Sequence, residues 1–265
     1  MLLQLPEENK HLVKGLFKKR QPNNSALWTY LYGDIPGITY VDNVSAPAAA
    51  VCVLSFFNWT FVSDNADIRW AEEMIQEICK TEYLQAVWNP LEAPKKPVKG
   101  LEAVIPRFEF IERHEVPRKE TQADIRLIDS GLFEKCEWKD IQLSAYSAKE
   151  NFLKKAFGFC AVEGEKVCCE CYASFAADTY TELGVITAES KRRKGYASAV
   201  CLRVIDEACK RGLTPTWSCD QDNLESVQLA QKLGFHSPLS YEFLYFPQTG
   251  LDTGLQQIHQ PGSIM

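Results

Sequence analysis

An apolar strand pattern and an apolar helix pattern are joined by Lys191-Arg192-Arg193-Lys194-Gly195-Tyr196-Ala197. Four consecutive cations precede a glycine and a helix start, in a chain whose net charge is −6. The first N–H groups of a helix have no intrahelical partner, and the helix dipole places positive potential beside them. Gly195 allows the backbone to approach an anion closely. The stretch therefore predicts a site for a phosphate-bearing molecule.

The composition is that of a globular protein large enough for two domains. The chain has 265 residues, of which 46% are hydrophobic and 24% are charged. No apolar run approaches the roughly 18 residues that a membrane-spanning helix needs, so no membrane partner is expected. The N-terminus lacks the basic start of a signal peptide, which predicts a cytoplasmic protein. The negative net charge argues against nucleic acid as a general partner.

The ten cysteines are expected to be thiols, because disulfides are rare in the cytoplasm. Cys168, Cys169 and Cys171 invite a metal hypothesis. They lie in an alternating strand pattern, with no histidine nearby and no second cysteine pair at zinc spacing. We therefore expect buried apolar cysteines and no metal site.

Three segments are expected along the chain. Residues 1–118 are predicted to form an N-terminal α/β accessory domain, with helices over Glu7–Arg20 and Asp67–Lys80. A charged run ends this part, and a new strand pattern begins at Asp124, which sets the boundary. Residues 119–248 predict the second domain, and residues 249–265 predict a polar tail.

The second domain alternates strands with helices. Strands are predicted over Phe157–Val162, Val167–Phe175, Tyr180–Thr187, Thr214–Cys219 and Tyr241–Phe246. Helical spacing predicts a helix over Gly195–Arg211, ended by Gly212. A second helix is predicted to begin at Asn223 as its cap and to end at Gly234.

Two of these segments resemble the signatures of the GNAT superfamily of acyl-CoA N-acyltransferases. Arg192-Arg193-Lys194-Gly195-Tyr196-Ala197 is similar to its Arg/Gln-x-x-Gly-x-Gly/Ala signature, and it too follows a strand and opens a helix. Asn223-x-x-Ser226-x-x-Leu229-Ala230-x-Lys232-Leu233-Gly234-Phe235 is similar to the second signature, in the same order and spacing. The resemblance covers roughly half of the chain and points to a subgroup with a longer N-terminal region.

The resemblance implies an α/β fold with a mixed, mostly antiparallel central sheet flanked by helices in the C-terminal half. A smaller α/β N-terminal domain would precede it. That domain mixes strands and helices without a phosphate loop, so a degenerate GNAT-like half is one interpretation of it.

The resemblance also implies transfer of an acetyl group from acetyl-CoA to a primary amine, by direct attack in a ternary complex. The loop would hold the pyrophosphate, and the end of the preceding strand would pair with the pantetheine arm. The implied cofactor-binding residues are Val185, Ile186, Thr187, Arg192, Arg193, Lys194, Gly195, Tyr196, Ala197, Asn223 and Ser226. The acceptor would be an amine on a small molecule or a protein, and a homodimer is one possible assembly.

Glu182, at the start of the splayed strand, is the expected general base, and Tyr241 is the expected acid. The position of the family's general-acid tyrosine is Ala230 in this chain. Tyr245, Tyr196 and unassisted departure of the thiolate therefore stay open as alternatives to Tyr241. A second function also stays open, that of a catalytically weak CoA-binding or regulatory module, which Ala230 favours.

Overall fold

The computed structural model describes residues 2–17, 22, 24–87, 98–117, 123–177 and 179–249. The chain divides into two compact units, Met1–Arg107 with Tyr241–Ile264, and Phe108–Ser240. The boundary predicted between residues 118 and 119 lies outside the described residues, as does the predicted polar tail apart from Thr249.

Helices and strands alternate through most of the described chain. The α-helices are α1 (Asn24–Leu31), α2 (Ile68–Ile78), α3 (Ser130–Phe133), α4 (Lys139–Tyr146), α5 (Lys149–Lys155), α6 (Tyr196–Lys210) and α7 (Leu224–Lys232). The strands are β1 (Gly37–Val41), β2 (Ala50–Leu54), β3 (Trp59–Val62), β4 (Leu84–Val87), β5 (Ala103–Phe110), β6 (Asp124–Leu127), β7 (Phe157–Glu163), β8 (Lys166–Ala177), β9 (Tyr180–Thr187), β10 (Thr214–Asp220) and β11 (Leu239–Phe246). Short 3₁₀ turns cover Glu7–Leu12, Lys14–Leu16 and Glu189–Lys191.

The first unit contains the strand order β1-β2-β3-β4-β11, in which only β3 and β4 are parallel. Helix α2 joins β3 to β4 and buries the side of the helix that carries Ala71, Ile75 and Ile78. The helix predicted over Asp67–Lys80 is thus confirmed. Strand β11 pairs with β4, although the sequence had suggested that it belongs to the second domain.

The helix predicted over Glu7–Arg20 is wrong in its described part, where two 3₁₀ turns form instead. Gly15 weakens a helix interior because it has the largest backbone entropy to lose. Lys10 is buried, and its Nζ lies 4.0 Å from the centre of the Tyr30 ring and 2.9 Å from Glu7 Oε1. The contact with Tyr30 is one that hydrophobic periodicity does not encode.

The second unit contains the strand order β10-β9-β8-β7-β6, antiparallel except for the β9–β10 pair. Helices α6 and α7 pack on one face over an apolar core. Helix α4 lies on the opposite face, where Tyr146 Oη accepts a hydrogen bond from the N–H of Phe175 at 3.0 Å. The expected mixed, mostly antiparallel sheet flanked by helices is confirmed.

The two units share one connection pattern. In the first, an antiparallel meander β1-β2-β3 is followed by α2 and by β4 parallel to β3. In the second, the meander β7-β8-β9 is followed by α6 and by β10 parallel to β9. This repetition supports, as a proposal, the interpretation of the N-terminal part as a degenerate GNAT-like half.

Glycines with left-handed backbone follow helices α6 and α7, and their surroundings differ. Gly234 follows α7 with φ +94°, and a Cβ there would lie 2.2 Å from the carbonyl oxygen of His114. Gly212 follows α6 with φ +75°, and a Cβ there would meet no heavy atom within 4 Å. Alanine at either position carries the cost of left-handed backbone, about 1–2 kcal/mol. Only Gly234→Ala must also displace another backbone segment.

We therefore expect Gly234→Ala to lower the free energy of unfolding by more than about 3 kcal/mol, against about 1 kcal/mol for Gly212→Ala. Urea unfolding followed by circular dichroism measures both. Equal losses in the two variants would show that the close approach of residue 114 does not constrain this corner.

A buried carboxylate ties the α3–α4 connection to the sheet. Glu170 of β8 is 1% exposed and accepts hydrogen bonds from the N–H groups of Glu137 at 2.9 Å and Trp138 at 2.7 Å. The Tyr172 hydroxyl donates to the same carboxylate at 3.2 Å. Burial raises the pKa of Glu170 above its usual 4.5, although these hydrogen bonds act in the opposite direction.

A carboxyl whose pKa is higher in the folded than in the unfolded chain stabilises the fold most below the unfolded value. This contribution is lost as the pH rises through the folded pKa. We therefore expect the stability of the wild type, relative to Glu170→Gln, to fall as the pH rises above about 4.5. Urea unfolding of both proteins across this range measures it, with the exposed hairpin variant Glu165→Gln as control. A difference that is constant or that grows with pH would contradict the assignment.

Candidate functional site

The loop before α6 contains two residues with left-handed backbone, Arg193 at φ +62° and Gly195 at φ +85°. Left-handed residues in a turn are typical of backbone concavities that bind anions. Gly195 is the N-cap of α6, and it has no side chain that could accept from the first N–H groups of the helix. A Cβ at Gly195 would meet no heavy atom within 4 Å, so the space in front of the loop is open.

The N-terminus of α2, at the corresponding point of the first unit, differs in this respect. The carboxylate of Asp67 accepts from the N–H groups of Arg69 at 3.0 Å and Trp70 at 3.1 Å. An internal anion therefore already occupies the donors at the start of α2. Of these two helices, only α6 begins with a residue that leaves its donors to a ligand.

Basic side chains surround the open loop. Arg192, Arg193 and Lys194 are all exposed. The Nε of Arg192 donates to the carbonyl oxygen of Thr187 at 3.4 Å, which ties the loop to the end of β9. Arg193 Nη2 lies 4.0 Å from Glu225 Oε1, and both side chains are largely in solvent, where such a pair is weak. The positive charge of the loop is thus accessible from solvent.

Glu163 joins the two ends of the loop, and the sequence did not point to it. Its carboxylate accepts from Lys191 Nζ, before the loop, and from the hydroxyl of Tyr196, the first residue of α6. These two donors hold the pKa of Glu163 below its usual value. The only signal in the sequence was the hairpin turn that follows Glu163. The hydroxyl of Tyr196 is therefore hydrogen-bonded to Glu163, and the backbone of Tyr196 belongs to the loop.

Strand β9 is paired along one edge and open along part of the other. Its register with β8 extends as far as Thr187 opposite Cys169. Its parallel register with β10 covers only Tyr180–Glu182, opposite Thr214–Thr216. Val185, Ile186 and Thr187, which were predicted to bind the pantetheine arm, lie beyond the end of that register and are half-buried.

Asn223 and Ser226 form the N-terminus of α7. The side chain of Asn223 accepts from the N–H of Ser226 at 3.1 Å, as expected of a cap. The indole N–H of Trp217 donates to Ser226 Oγ at 3.0 Å, and Trp217 itself is buried in the core beneath α6 and α7. The side chain of Trp217 is therefore part of the apolar core.

Glu182 lies on the face of the sheet opposite that core. Its neighbour Leu183 belongs to the core with α6, and alternation along a strand directs Glu182 to the other face. The carboxylate is fully buried, and the hydroxyl of Thr216 on β10 donates to Glu182 Oε2 at 3.4 Å. The sequence does not show on which face of the sheet the Glu182 side chain lies. The packing of Leu183 in the core decides it.

The tyrosines that were considered as acids occupy different surroundings. Tyr241 belongs to the first unit, whereas the other predicted site residues belong to the second. Its hydroxyl accepts from Arg107 Nε at 2.9 Å. Tyr245 is half-buried in the same strand, and burial raises its pKa. Ala230, at the position of the family's general-acid tyrosine, is fully buried in the core, and its methyl group cannot donate a proton.

Two of the three cysteines of β8, Cys169 and Cys171, belong to the core under α6. Cys168 is buried at a β-bulge, where the pairing of β8 with β7 shifts by one residue. Thr187 Oγ1 donates to Cys169 Sγ at 3.2 Å, and burial raises the pKa of the Cys169 thiol. Within the described ranges, no group of three or more His, Cys, Asp or Glu side chains is arranged to hold a metal ion. None of the helices in those ranges has the length and apolarity to cross a membrane.

Comparison with known proteins agrees with this geometry. Residues 14–244 match the model of the GNAT acetyltransferase family. A protein of Bacillus subtilis strain 168 named as the uncharacterized N-acetyltransferase YdfB is 34% identical over 100 residues. That match spans 38% of this chain and 38% of the relative's length.

Two crystallised proteins share the fold. The GCN5-related N-acetyltransferase-like protein of Streptococcus suis 89/1591 aligns with a TM-score of 0.67 at 24% identity, over 90% of this chain and 98% of that one. The GNAT-family acetyltransferase of Colwellia psychrerythraea aligns with a TM-score of 0.58 at 13% identity, over 93% and 99%. Because the family match covers most of the sequence, the chain belongs to the GNAT acetyltransferase family.

Proposed function

We propose that this protein transfers an acetyl group from acetyl-CoA to a primary amine in a ternary complex. The observation that carries the proposal is the N-terminus of α6, where Gly195 leaves the first N–H groups open to a ligand among three exposed basic side chains. Such a terminus binds phosphate through backbone donors and the helix dipole together. The loop residues 192–197 would hold the pyrophosphate of acetyl-CoA.

The open edge of β9 supports the binding of the pantetheine arm. Beyond Glu182 the register with β10 ends, so the backbone groups of Val185–Thr187 on that edge do not pair with β10. The pantetheine arm contains amides that match an unpaired strand edge, in the manner of an added strand. Asn223 and Ser226, at the start of α7 beyond the end of β10, would contact the same arm.

The chemistry proposed at this edge balances as follows. The neutral amine attacks the thioester carbon, the carbon–sulfur bond breaks, and the CoA thiolate leaves. Glu182 accepts the proton from the nitrogen, and a backbone N–H of β9 stabilises the developing oxyanion. Tyr241 is the proposed donor of a proton to the thiolate, with departure of the unprotonated thiolate as the alternative.

The family and the relative's name support this activity in general terms. Membership in the GNAT acetyltransferase family supports acetyl transfer, and YdfB is named an N-acetyltransferase. The acceptor is proposed to be an amine of a small molecule or of a protein. We also propose a cytoplasmic location, which the ten free cysteines support.

A second function, that of a CoA-binding or regulatory module with weak turnover, is favoured by one observation. Ala230 stands where the resemblance implies a tyrosine, and it is buried among core residues. Binding of CoA without release of free thiol in the presence of amines would favour this second function over the first.

The proposed binding of the pyrophosphate by the loop is tested by introducing a negative charge into the loop. We expect Gly195→Glu to weaken CoA binding by about 30-fold or more, equivalent to about 2 kcal/mol, because the carboxylate would repel the pyrophosphate. Replacing Arg192 as well should increase the loss. Isothermal titration calorimetry with CoA and acetyl-CoA measures it.

The matched control is Gly212→Glu, at the opposite end of the same helix. It introduces the same side chain at a residue that also has positive φ and open space, and it should leave CoA affinity unchanged. If CoA binds Gly195→Glu as tightly as the wild type, the loop is not the phosphate site.

Glu182 is tested by Glu182→Gln, which is nearly isosteric and cannot accept the proton. We expect kcat to fall about 100-fold or more while the Kd for CoA changes less than about twofold. Thiol release with an amine acceptor measures kcat, and calorimetry measures Kd. A variant with full kcat would exclude Glu182 as the base, and Tyr241→Phe examined in parallel tests the proposed acid.

A further inference from the structure

Ser218 of β10 has a buried hydroxyl without a hydrogen-bond partner in the part of the chain that the structure describes. The residue is 1% exposed, and its Oγ makes no hydrogen bond there. Burying an unpartnered hydroxyl costs stability, and alanine would avoid that cost. A hydroxyl at this position can therefore serve a bound molecule.

The side chain of Ser218 lies on the same face of the sheet as Glu182. Trp217 and Cys219, on either side of it, belong to the core beneath α6 and α7. Alternation along β10 therefore directs Ser218 and Thr216 to the opposite face. On that face the side chains of β9 and β10 meet, because the hydroxyl of Thr216 donates to Glu182 Oε2 at 3.4 Å.

Ser218 lies just beyond the paired part of β9 and β10. The last pair of the β9–β10 register is Thr216 opposite Glu182. Two residues further along, β10 carries Ser218 and β9 carries Gly184, which has no side chain. Ser218 therefore follows the last paired residues, on the face of the sheet that carries Glu182.

Other buried hydroxyls near this point are satisfied within the fold. Ser174 Oγ, on β8 opposite Glu182, donates to Gln142 Oε1 at 3.4 Å. Thr181 Oγ1 donates to the carbonyl oxygen of Ser174 at 2.9 Å. Ser218 thus differs from these two neighbouring hydroxyls, both of which have a hydrogen-bond partner.

We propose that Ser218 Oγ accepts a hydrogen bond from the acceptor amine and makes the site selective for primary over secondary amines. This inference rests on the proposed acetyl transfer. A neutral primary amine has two N–H groups and one lone pair. One N–H donates to Ser218, the other donates to Glu182, and the lone pair is left directed at the thioester carbon.

The reaction step fits this arrangement. As the carbon–nitrogen bond forms and the thiolate leaves, the N–H that faces Glu182 is lost as a proton to the carboxylate. The N–H that faces Ser218 stays on the amide product. A secondary amine has a single N–H, so it cannot satisfy both oxygens and place its lone pair at the same time. Ser218 acts here as a residue that orients the substrate.

The experiment compares Ser218→Ala with Ser218→Thr, which retains the hydroxyl, and with Ser174→Ala, which removes a satisfied one. Thermal unfolding, CoA affinity by calorimetry and thiol release are measured for each. The amines are a polyamine, an aminoglycoside and free lysine, each beside its N-methylated form. We expect Ser218→Ala to unfold at the wild-type temperature or higher and to bind CoA as the wild type does.

For the primary amine that the wild type uses best, Ser218→Ala should lower kcat/KM at least tenfold, with the KM for acetyl-CoA unchanged. The ratio of primary to N-methylated turnover should fall, and Ser218→Thr should restore both. Ser174→Ala should instead unfold at a lower temperature and keep the amine preference.

Two results would overturn the proposal while leaving acetyl transfer intact. One is wild-type amine kinetics in Ser218→Ala, and the other is destabilisation of that variant as large as that of Ser174→Ala. A wild-type protein that does not bind CoA would overturn the proposed function itself. The calorimetric titration separates that failure from the other two without reference to Ser218.

Discussion

The end of the parallel register between β9 and β10 is the constraint on which the rest of the site depends. The two strands pair only as far as Glu182 and Thr216, yet β9 stays paired with β8 as far as Thr187. Beyond Glu182, β9 therefore pairs with β8 along one edge and does not pair with β10 along the other. The open edge, the buried carboxylate and the loop before α6 all lie at or beyond this point, which is where open α/β sheets bind ligands.

Comparison of the two units shows how one connection can serve two purposes. Each unit has a meander, a helix and a strand parallel to the last one, but the two helices begin differently. Asp67 satisfies the donors of α2 with its own carboxylate, whereas Gly195 brings no side chain to those of α6. The first arrangement stabilises a helix, and the second leaves its donors to a ligand. The residue at the cap is thus the difference between the two helices on which the proposed phosphate site rests.

Charge in the second unit is used in two distinct ways. At the surface, Glu163 holds Lys191 and Tyr196 on either side of the loop, so the loop is fixed by an ion pair that lies beside the proposed phosphate position. In the interior, Glu170 is held by two backbone N–H groups that fix the connection to α4. Buried carboxylates are tolerated where such donors compensate for lost hydration. Both carboxylates orient a segment of backbone.

The sequence alone determined the features that depend on neighbours along the chain. The helix after Gly195, the cap at Asn223 and the apolar side of α2 follow from periodicity and capping chemistry, and the structure contains all three. Around Gly15, where the local signals for a helix are weak, the chain forms 3₁₀ turns instead of the expected helix, and the nearby Lys10 is buried against Tyr30.

Tertiary structure alone decided which side chains meet. Glu163 lies 28 residues from Lys191, and no pattern in the sequence joins them. A strand has two equivalent faces, so alternation could not say that Glu182 and Ser218 point away from α6 until the core was formed by Leu183, Trp217 and Cys219. Periodicity is a local property, whereas the side of a sheet that becomes buried is set by elements far along the chain.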